Sequence, residues 1–489
     1  MANSALGCAQ HIGYGRQLDR RMSRRSRRPL SVVRPSHATR TIDKCAIVPV
    51  VACALALIVI PLIEFFSPSA SEAVANGVAR PENRIIWPIM ALVSAILAAQ
   101  NHSRLVKLKW PPNIICFLAY LAFAGTSISW AFRPEIAFIR FAQQVMIVIS
   151  IVLPALLASR SSDMIRGLFI CFAIASIINV LFVMSGTETI VINAGPHGSY
   201  HDYLGSPGYF SFKNYLGECA AVAFLLSIHE MLYRGSRRVF GAIIAATATY
   251  LVFASNSKTA FGLALICPFL SIFALSARRA TGVSLGVILS CIPICYALMS
   301  SVFPHYNLNL LSYKLYGDGT FSGRAIIWNF VQQEIDRRPL LGWGYESFWL
   351  VPGSPAIAEA PGWVKAMPNG HNGYYDTMLD LGYLGFAFLL AFIIATLHGI
   401  GRVADRDPVR GWMVLSLALF VIFYNFLERL WMHGFEFLWV VFIVVAAEVG
   451  RYWRPLPMTR AAYGSRSPAP RSSRPSIAQT PQLPITTIS

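Results

Sequence analysis

Twelve apolar runs divide the chain, at roughly 45–66, 85–100, 113–132, 135–158, 166–185, 212–232, 239–255, 259–277, 283–303, 377–400, 411–428 and 434–450. Each is close to the ~20 residues that carry a helix across a bilayer. The pattern predicts an all-α membrane protein with about twelve transmembrane helices. Polar positions gather between the runs, and two connections stand out. One, 186–211, holds His197, His201 and Asp202; the other, 304–376, separates the ninth span from the tenth. Connections this long are usually functional unless they are disordered. The longer one is not disordered in composition, because it carries Trp328, Trp343, Trp349 and Trp363. Within it, Ile326, Ile327, Phe330, Val331 and Ile335 share one face of a predicted helix over 323–337. Ser322 is its expected cap, and Arg337, Arg338 and Pro339 close it. The chain thus divides into a basic tail (1–44), nine spans (45–303), the loop (304–376), three spans (377–450) and a second basic tail (451–489).

Composition agrees with the pattern. Only 13% of the 489 residues are charged and 55% are hydrophobic, against roughly 25% charged in soluble domains. The net charge of +18 is unevenly placed. Residues 1–44 hold ten Arg and Lys, and 451–489 hold six Arg and no acid. With the tails and alternate connections assigned to one face, 29 of the 41 basic residues lie there. The positive-inside rule makes that face cytoplasmic and puts both termini on it. The Ser/Pro/Arg-rich tails then read as disordered juxtamembrane segments rather than a nucleic-acid surface. SRRSRRPL is a weak match to a twin-arginine signal, but the run 45–63 exceeds a signal-peptide core, so an uncleaved first helix is expected. Eight of the nine cysteines fall inside apolar runs without ligand spacing. Neither disulfide nor zinc site is expected.

Charges in or at the ends of spans are costly and therefore candidate functional residues. Arg140 lies in the fourth span; its alternative role is snorkelling to the outer interface. Lys213 and Asn214 open the sixth span, where a cation opposes the helix dipole unless an anion lies nearby; head-group contact is the alternative. Glu218, one turn deeper, is a candidate partner for Lys213. Lys258 sits in SNSKTAFG between the seventh and eighth spans, as an anion-binding or a plain turn residue. Arg324 opens the amphipathic helix after GDGTFSG, a setting that suits a phosphate. His371 and Asn372 precede the tenth span, and a histidine at a water–membrane boundary can exchange protons near neutral pH. Four cations and one histidine are thereby predicted at one membrane face. They suit an anionic lipid-linked substrate, with Trp343, Tyr345, Trp349 and Trp363 available for sugar stacking or interfacial anchoring. No Walker-type loop, internal repeat or metal-ligand cluster is evident.

FKNYLG at 212–217, SNSKTAFG at 255–262, SGRAIIWNF at 322–330 with RPLLGWGYESF at 338–348, and GHNGYYDTMLDLGYLGF at 370–386 carry a resemblance. The chain resembles the O-antigen ligase and Wzy-type polysaccharide polymerase superfamily over about 120–450. The resemblance implies a bacterial inner-membrane enzyme whose active face, with the long loop between the ninth and tenth helices, is periplasmic. It implies metal-independent, inverting glycosyl transfer from an undecaprenyl-pyrophosphate donor, without a cofactor. It assigns His371 as base or orienter at the acceptor hydroxyl, and Arg324 to the pyrophosphate or the developing charge. Arg140, Lys213 and Lys258, with Asn214 and Asn372, become substrate-binding groups. Lys258 stands where many relatives carry Arg.

The expected function is polymerisation of lipid-linked oligosaccharide repeat units into exopolysaccharide or O-antigen. Lipid-linked donor and acceptor, membrane lipids, and a flippase and chain-length regulator of the same pathway are the expected partners; no nucleic acid is expected. The alternative within the resemblance is ligation of glycan to lipid A–core. A transporter of polysaccharide or lipid-linked sugar is the rival of another class; it would need mid-membrane polar residues lining a pathway. A structural component of a secretion complex is a third reading.

Overall fold

The computed structural model describes residues 43–66, 83–159, 163–186, 205–302, 310, 313–314, 319, 323–434 and 436–453. The described residues are helical, with connecting turns and no strand among them. Residues 1–42 and 454–489 of the tails, and His197, His201 and Asp202, lie outside them. The principal helices are α1 (Lys44–Phe66), α2 (Asn83–Gln100), α3 (Pro112–Thr126), α4 (Pro134–Leu157), α5 (Met164–Ser185), α6 (Lys213–Met231), α7 (Ser236–Ser255), α8 (Lys258–Thr281), α9 (Leu285–Val302), α10 (Arg324–Arg337), α11 (Gly373–Arg406), α12 (Pro408–Tyr424) and α13 (Phe437–Arg451). Eight of them (α1–α5, α7, α8 and α11) are long and apolar enough to cross a membrane. The other expected spans fall on α6, α9, α12 and α13. Of these, α6 carries Lys213, Glu218, His229 and Glu230, whereas α12 and α13 are only 17 and 15 residues long.

Every residue of α13 is buried. Asn113 of α3 donates to the Ala446 carbonyl at 2.9 Å, and the Trp439 indole donates to Gln144 of α4 at 2.9 Å. These bonds satisfy polar groups where water cannot reach them. Peripheral helices turn large apolar side chains outward, among them Ile85, Leu92, Phe253 and Phe269; a lipid surround satisfies such faces. At one end of the bundle, buried Glu448 joins Arg410 of α12 and Arg451 of α13. The candidate site is at the other end.

Two local breaks shape that end. Pro61 lacks the N–H that would bond the Leu57 carbonyl. The helix answers with a π turn over Leu55–Val59, and the Tyr209 hydroxyl donates to the Leu57 carbonyl at 2.8 Å. Such π turns recur at functional sites. The second break is in α11, at Gly382 (φ 64°, ψ −171°). The segment 339–344 docks there: Tyr383 N–H donates to the Pro339 carbonyl (2.7 Å), and Trp343 and Gly344 N–H donate to the Leu379 and Asp380 carbonyls (2.9 and 2.8 Å). A Cβ at Gly382 would strike the Leu340 backbone, and one at Gly344 (φ 93°) would strike Ala131. Glycine is required at both by sterics as well as by φ.

The amphipathic helix forms as α10 and packs on α11. It begins after Gly323, whose φ is 80°, and no side chain caps it; Ser322 lies outside the described residues. Ile327, Phe330, Val331 and Ile335 are buried with Phe348, Trp349 and Val364, but Ile326 is 49% exposed and leaves the expected apolar face. Buried Glu334 replaces it, paired with Arg337 at 2.9 Å.

Candidate functional site

A cavity of about 550 Å³ opens at the end of the bundle bearing α10. Its walls include Glu64 of α1, Arg140 of α4, Asn214 and Glu218 of α6, Glu346, His371, and Glu428, Arg429, His433 and Glu436 from the turn between α12 and α13.

His371 has a left-handed backbone (φ 48°), uncommon for a non-glycine residue. The neighbouring bonds hold it there. Buried Asp376 accepts from Gly370 N–H at 2.9 Å, and the Trp328 indole donates to the Gly370 carbonyl at 3.0 Å. The His371 N–H donates to the Asn369 side chain at 2.9 Å. Asn372 caps α11, accepting from the Tyr374 and Tyr375 N–H groups at 3.0 and 3.1 Å. Its side chain thus fixes the helix that starts beside His371.

His371 Nδ1 lies 3.0 Å from Glu428 Oε2. The other oxygen of Glu428 accepts from Arg324 Nη2 at 2.7 Å and from Asn214 Nδ2 at 3.1 Å. Three sequence candidates from three distant segments therefore meet on one carboxylate. Burial pushes the Glu428 carboxyl up, but His371, Arg324 and Asn214 together outweigh it and hold it below the usual carboxylate range. Gly373 N–H donates to the carbonyls of Asn425 (2.8 Å) and Glu428 (3.0 Å), locking this turn to the start of α11.

Arg140 belongs to a second cluster. Its guanidinium donates to the Glu346 backbone carbonyl and lies 3.8 Å from that residue's carboxylate. Glu346 Oε1 also takes Arg429 Nη2 at 3.0 Å and His433 Nδ1 at 2.8 Å. Burial pushes the Glu346 carboxyl up, yet Arg429, His433 and Arg140 hold it well below the ordinary range. Arg429 is itself buried against Asp380. Glu346 too is left-handed (φ 51°), as are Leu350 (φ 52°) and Met432 (φ 47°). Strained non-glycine residues cluster at functional sites because the surrounding contacts must over-determine them.

Lys213 and Lys258 open α6 and α8 and are not among the cavity-lining residues. Their helix starts are packed together: a Cβ at Gly217 would meet the Ser257 side chain at 2.5 Å. Glu218 is buried on the cavity wall with one carboxylate oxygen unpartnered.

Glu346, Glu428, Arg429 and His433 escape a reading of the sequence alone. Glu346 lies inside RPLLGWGYESF, and the others in FLERLWMHGFE across the join of the last two apolar runs. The signal available is a density of polar chemistry: Glu428, Arg429, His433 and Glu436 are packed into the short stretch 428–436 where two apolar runs meet.

A family model described as O-antigen ligase matches residues 242–390. The exopolysaccharide production protein ExoQ of Rhizobium meliloti (strain 1021) is 24% identical over 310 residues, which is 60% of this chain and 68% of ExoQ. A putative polysaccharide ligase of Rickettsia prowazekii (strain Madrid E) is 31% identical over 105 residues, 21% of this chain and 25% of that protein. The family match includes Lys258, Arg324, Glu346 and His371. With its apolar helices, the chain has the make-up of a multi-pass membrane protein, and over residues 242–390 it is similar to the O-antigen ligase family.

Proposed function

We propose that this protein is an inner-membrane glycosyltransferase that polymerises undecaprenyl-pyrophosphate-linked oligosaccharide repeat units into exopolysaccharide or O-antigen. In this reading it crosses the membrane twelve times, keeps both termini in the cytoplasm and opens its cavity to the periplasm. The observation that carries the reading is the meeting of His371, Arg324 and Asn214 on Glu428 at the cavity wall.

The chemistry follows from that geometry. Glu428 engages His371 Nδ1, so the imidazole donates its proton there and presents Nε2 as the acceptor. An acceptor hydroxyl at Nε2 loses its proton as its oxygen attacks the anomeric carbon. Pyrophosphate departs from the opposite face, inverting the centre. Pyrophosphate is already a good leaving group, so the protein's task is to position the reactants and hold the moving charge. Arg140 stands on the cavity wall; Arg324, Lys213 and Lys258 add to the positive field. The reaction in this reading needs no metal ion and no cofactor.

The match over 60% of the chain to an exopolysaccharide production protein supports exopolysaccharide as the product in this reading. The Rickettsia relative, itself a putative polysaccharide ligase, supports ligation to lipid A–core as a second reading. Complementation of a deletion strain tests both. Wild type, His371→Ala and Arg324→Ala are compared at matched membrane abundance, with lipid-linked glycans resolved by length. Loss of long chains with single repeats accumulating on the carrier is the expected result. Normal chains with unmodified lipid A–core would support the ligase. Unchanged glycans in both variants would refute the assignment and favour a transporter or scaffold.

A further inference from the structure

The cavity wall holds a second histidine–carboxylate pair that the mechanism above does not use. His433 Nδ1 meets Glu346 Oε1 at 2.8 Å, as His371 meets Glu428. The two imidazoles are similarly exposed, 24% and 26%. Their carboxylates have separate partners: Glu428 takes His371, Arg324 and Asn214, whereas Glu346 takes His433, Arg429 and Arg140. The turn bearing both Glu428 and His433 fixes the pairs relative to each other. It is anchored by Gly373 at one end and by Gln144, which donates to the Gly434 carbonyl at 2.7 Å, at the other.

An inverting displacement gives the two pairs different work. The base at the acceptor and the charge at the leaving group must lie on opposite sides of the anomeric carbon. His371 and Arg324 grip the two oxygens of a single carboxylate, so they serve one side. The arginines that line the cavity, Arg140 and Arg429, are both bound to Glu346. Both arginines on the wall therefore lie on the His433 side, held through the carboxylate that His433 meets.

Resting on the lipid-pyrophosphate reading above, we infer that His433, oriented by Glu346, is a second catalytic histidine, which meets the departing pyrophosphate as an imidazolium while His371 serves the acceptor. The acceptor O–H bond breaks, and its proton passes to His371 Nε2. The new C–O bond forms at the anomeric carbon. The bond to pyrophosphate breaks, its electron pair leaves on the phosphate oxygen, and the proton on His433 Nε2 is delivered to that oxygen. One proton enters at His371 and one leaves at His433, and solvent exchange resets the pair. The charged groups around His433 come from several elements. Glu346 comes from the segment after α10, Arg140 from α4, Asp376 and Asp380 from α11, and Glu428, Arg429 and Glu436 from its own turn.

Binding of undecaprenyl pyrophosphate to the full-length protein in nanodiscs, followed by intrinsic tryptophan fluorescence from pH 5.5 to about 8.5, is the test across the range where imidazole titrates. Wild-type affinity should fall as pH rises through that range. His433→Gln should weaken binding roughly tenfold at low pH, the scale of one charged hydrogen bond, and remove the pH dependence. His433→Arg should bind tightly at every pH, and His371→Gln should keep both affinity and slope. A His433→Gln protein with wild-type affinity and slope would overturn the inference. So would a uniform loss that His433→Arg does not restore. Absence of wild-type binding at any pH would instead overturn the lipid-pyrophosphate reading, and this inference with it.

Discussion

Replacing Glu428 by glutamine is the sharpest test of the His371 site, because the amide is nearly isosteric and its orientation is dictated. Glu428 Oε1 faces two donors, Arg324 Nη2 at 2.7 Å and Asn214 Nδ2 at 3.1 Å. In Glu428→Gln the amide carbonyl oxygen must take that side, since an NH₂ there would meet only other donors. The NH₂ is then left 3.0 Å from His371 Nδ1, the distance now spanned by Oε2. It forces Nδ1 to accept and moves the imidazole proton to Nε2, where the acceptor hydroxyl needs a lone pair. In a Ser-His-Asp triad the equivalent wrong tautomer costs about 10⁴-fold, or about 5.5 kcal/mol of barrier. Transfer by Glu428→Gln should fall on the order of 10³–10⁴-fold by that comparison. The assay is chain extension in membrane vesicles loaded with lipid-linked repeat units, with rates normalised to protein abundance. A Glu428→Gln rate within about tenfold of wild type, at a pH where His371→Gln is inactive, would refute the claim that Glu428 sets the tautomer.

The same carboxylate makes a pH prediction. Its folded pKa is depressed, so its contribution to stability is present above the ordinary carboxylate range and is lost as pH falls through the depressed value. Thermal melting from about pH 3 to 7 should show an acid limb in wild type that flattens in Glu428→Gln. Arg429→Met leaves Glu346, Asp376 and Asp380 without their shared cation, and breaking such a buried set costs about 3–5 kcal/mol. Its membrane abundance and melting temperature should drop sharply, and near-normal values would discount the network. Asn372→Ala should cost about 1 kcal/mol through the lost cap, with Tyr374 and Tyr375 amides exchanging faster in hydrogen-exchange mass spectrometry. Chain extension should persist in excess EDTA, and metal-restorable inhibition would contradict the mechanism.

The spans are legible because lipid makes their requirement simple: about twenty apolar residues, whatever their neighbours. Where that rule weakens, so does the reading. The helix α6 has the expected place but carries Lys213, Glu218, His229 and Glu230, because it lines the cavity and the bundle interior as well as lipid. The helix α10 is visible by its period, yet Ile326 points outward and Glu334 inward. A salt bridge to Arg337 settles that exchange, which hydropathy cannot weigh.

The site divides along the same line. Arg140, Lys213, Arg324 and His371 stand out because a charge or histidine beside an apolar run is conspicuous by itself. Glu346 and Glu428 do not, because a carboxylate within a long polar loop, or at the edge of a span, reads as an ordinary residue there. What distinguishes them is their partners, and those come from elsewhere in the chain: Arg324 lies 104 residues before Glu428, and Arg140 lies 206 before Glu346. The pairing depends on one backbone event, the donation of Gly373 N–H to the Asn425 and Glu428 carbonyls, which folds the α12–α13 turn onto the start of α11. Cations mark such a site in sequence because a charge in or beside an apolar run is costly. The carboxylates that orient them become visible only once that turn is closed. A histidine read from sequence alone therefore lacks the carboxylate it meets, and here the fold supplies one such carboxylate to each of two histidines.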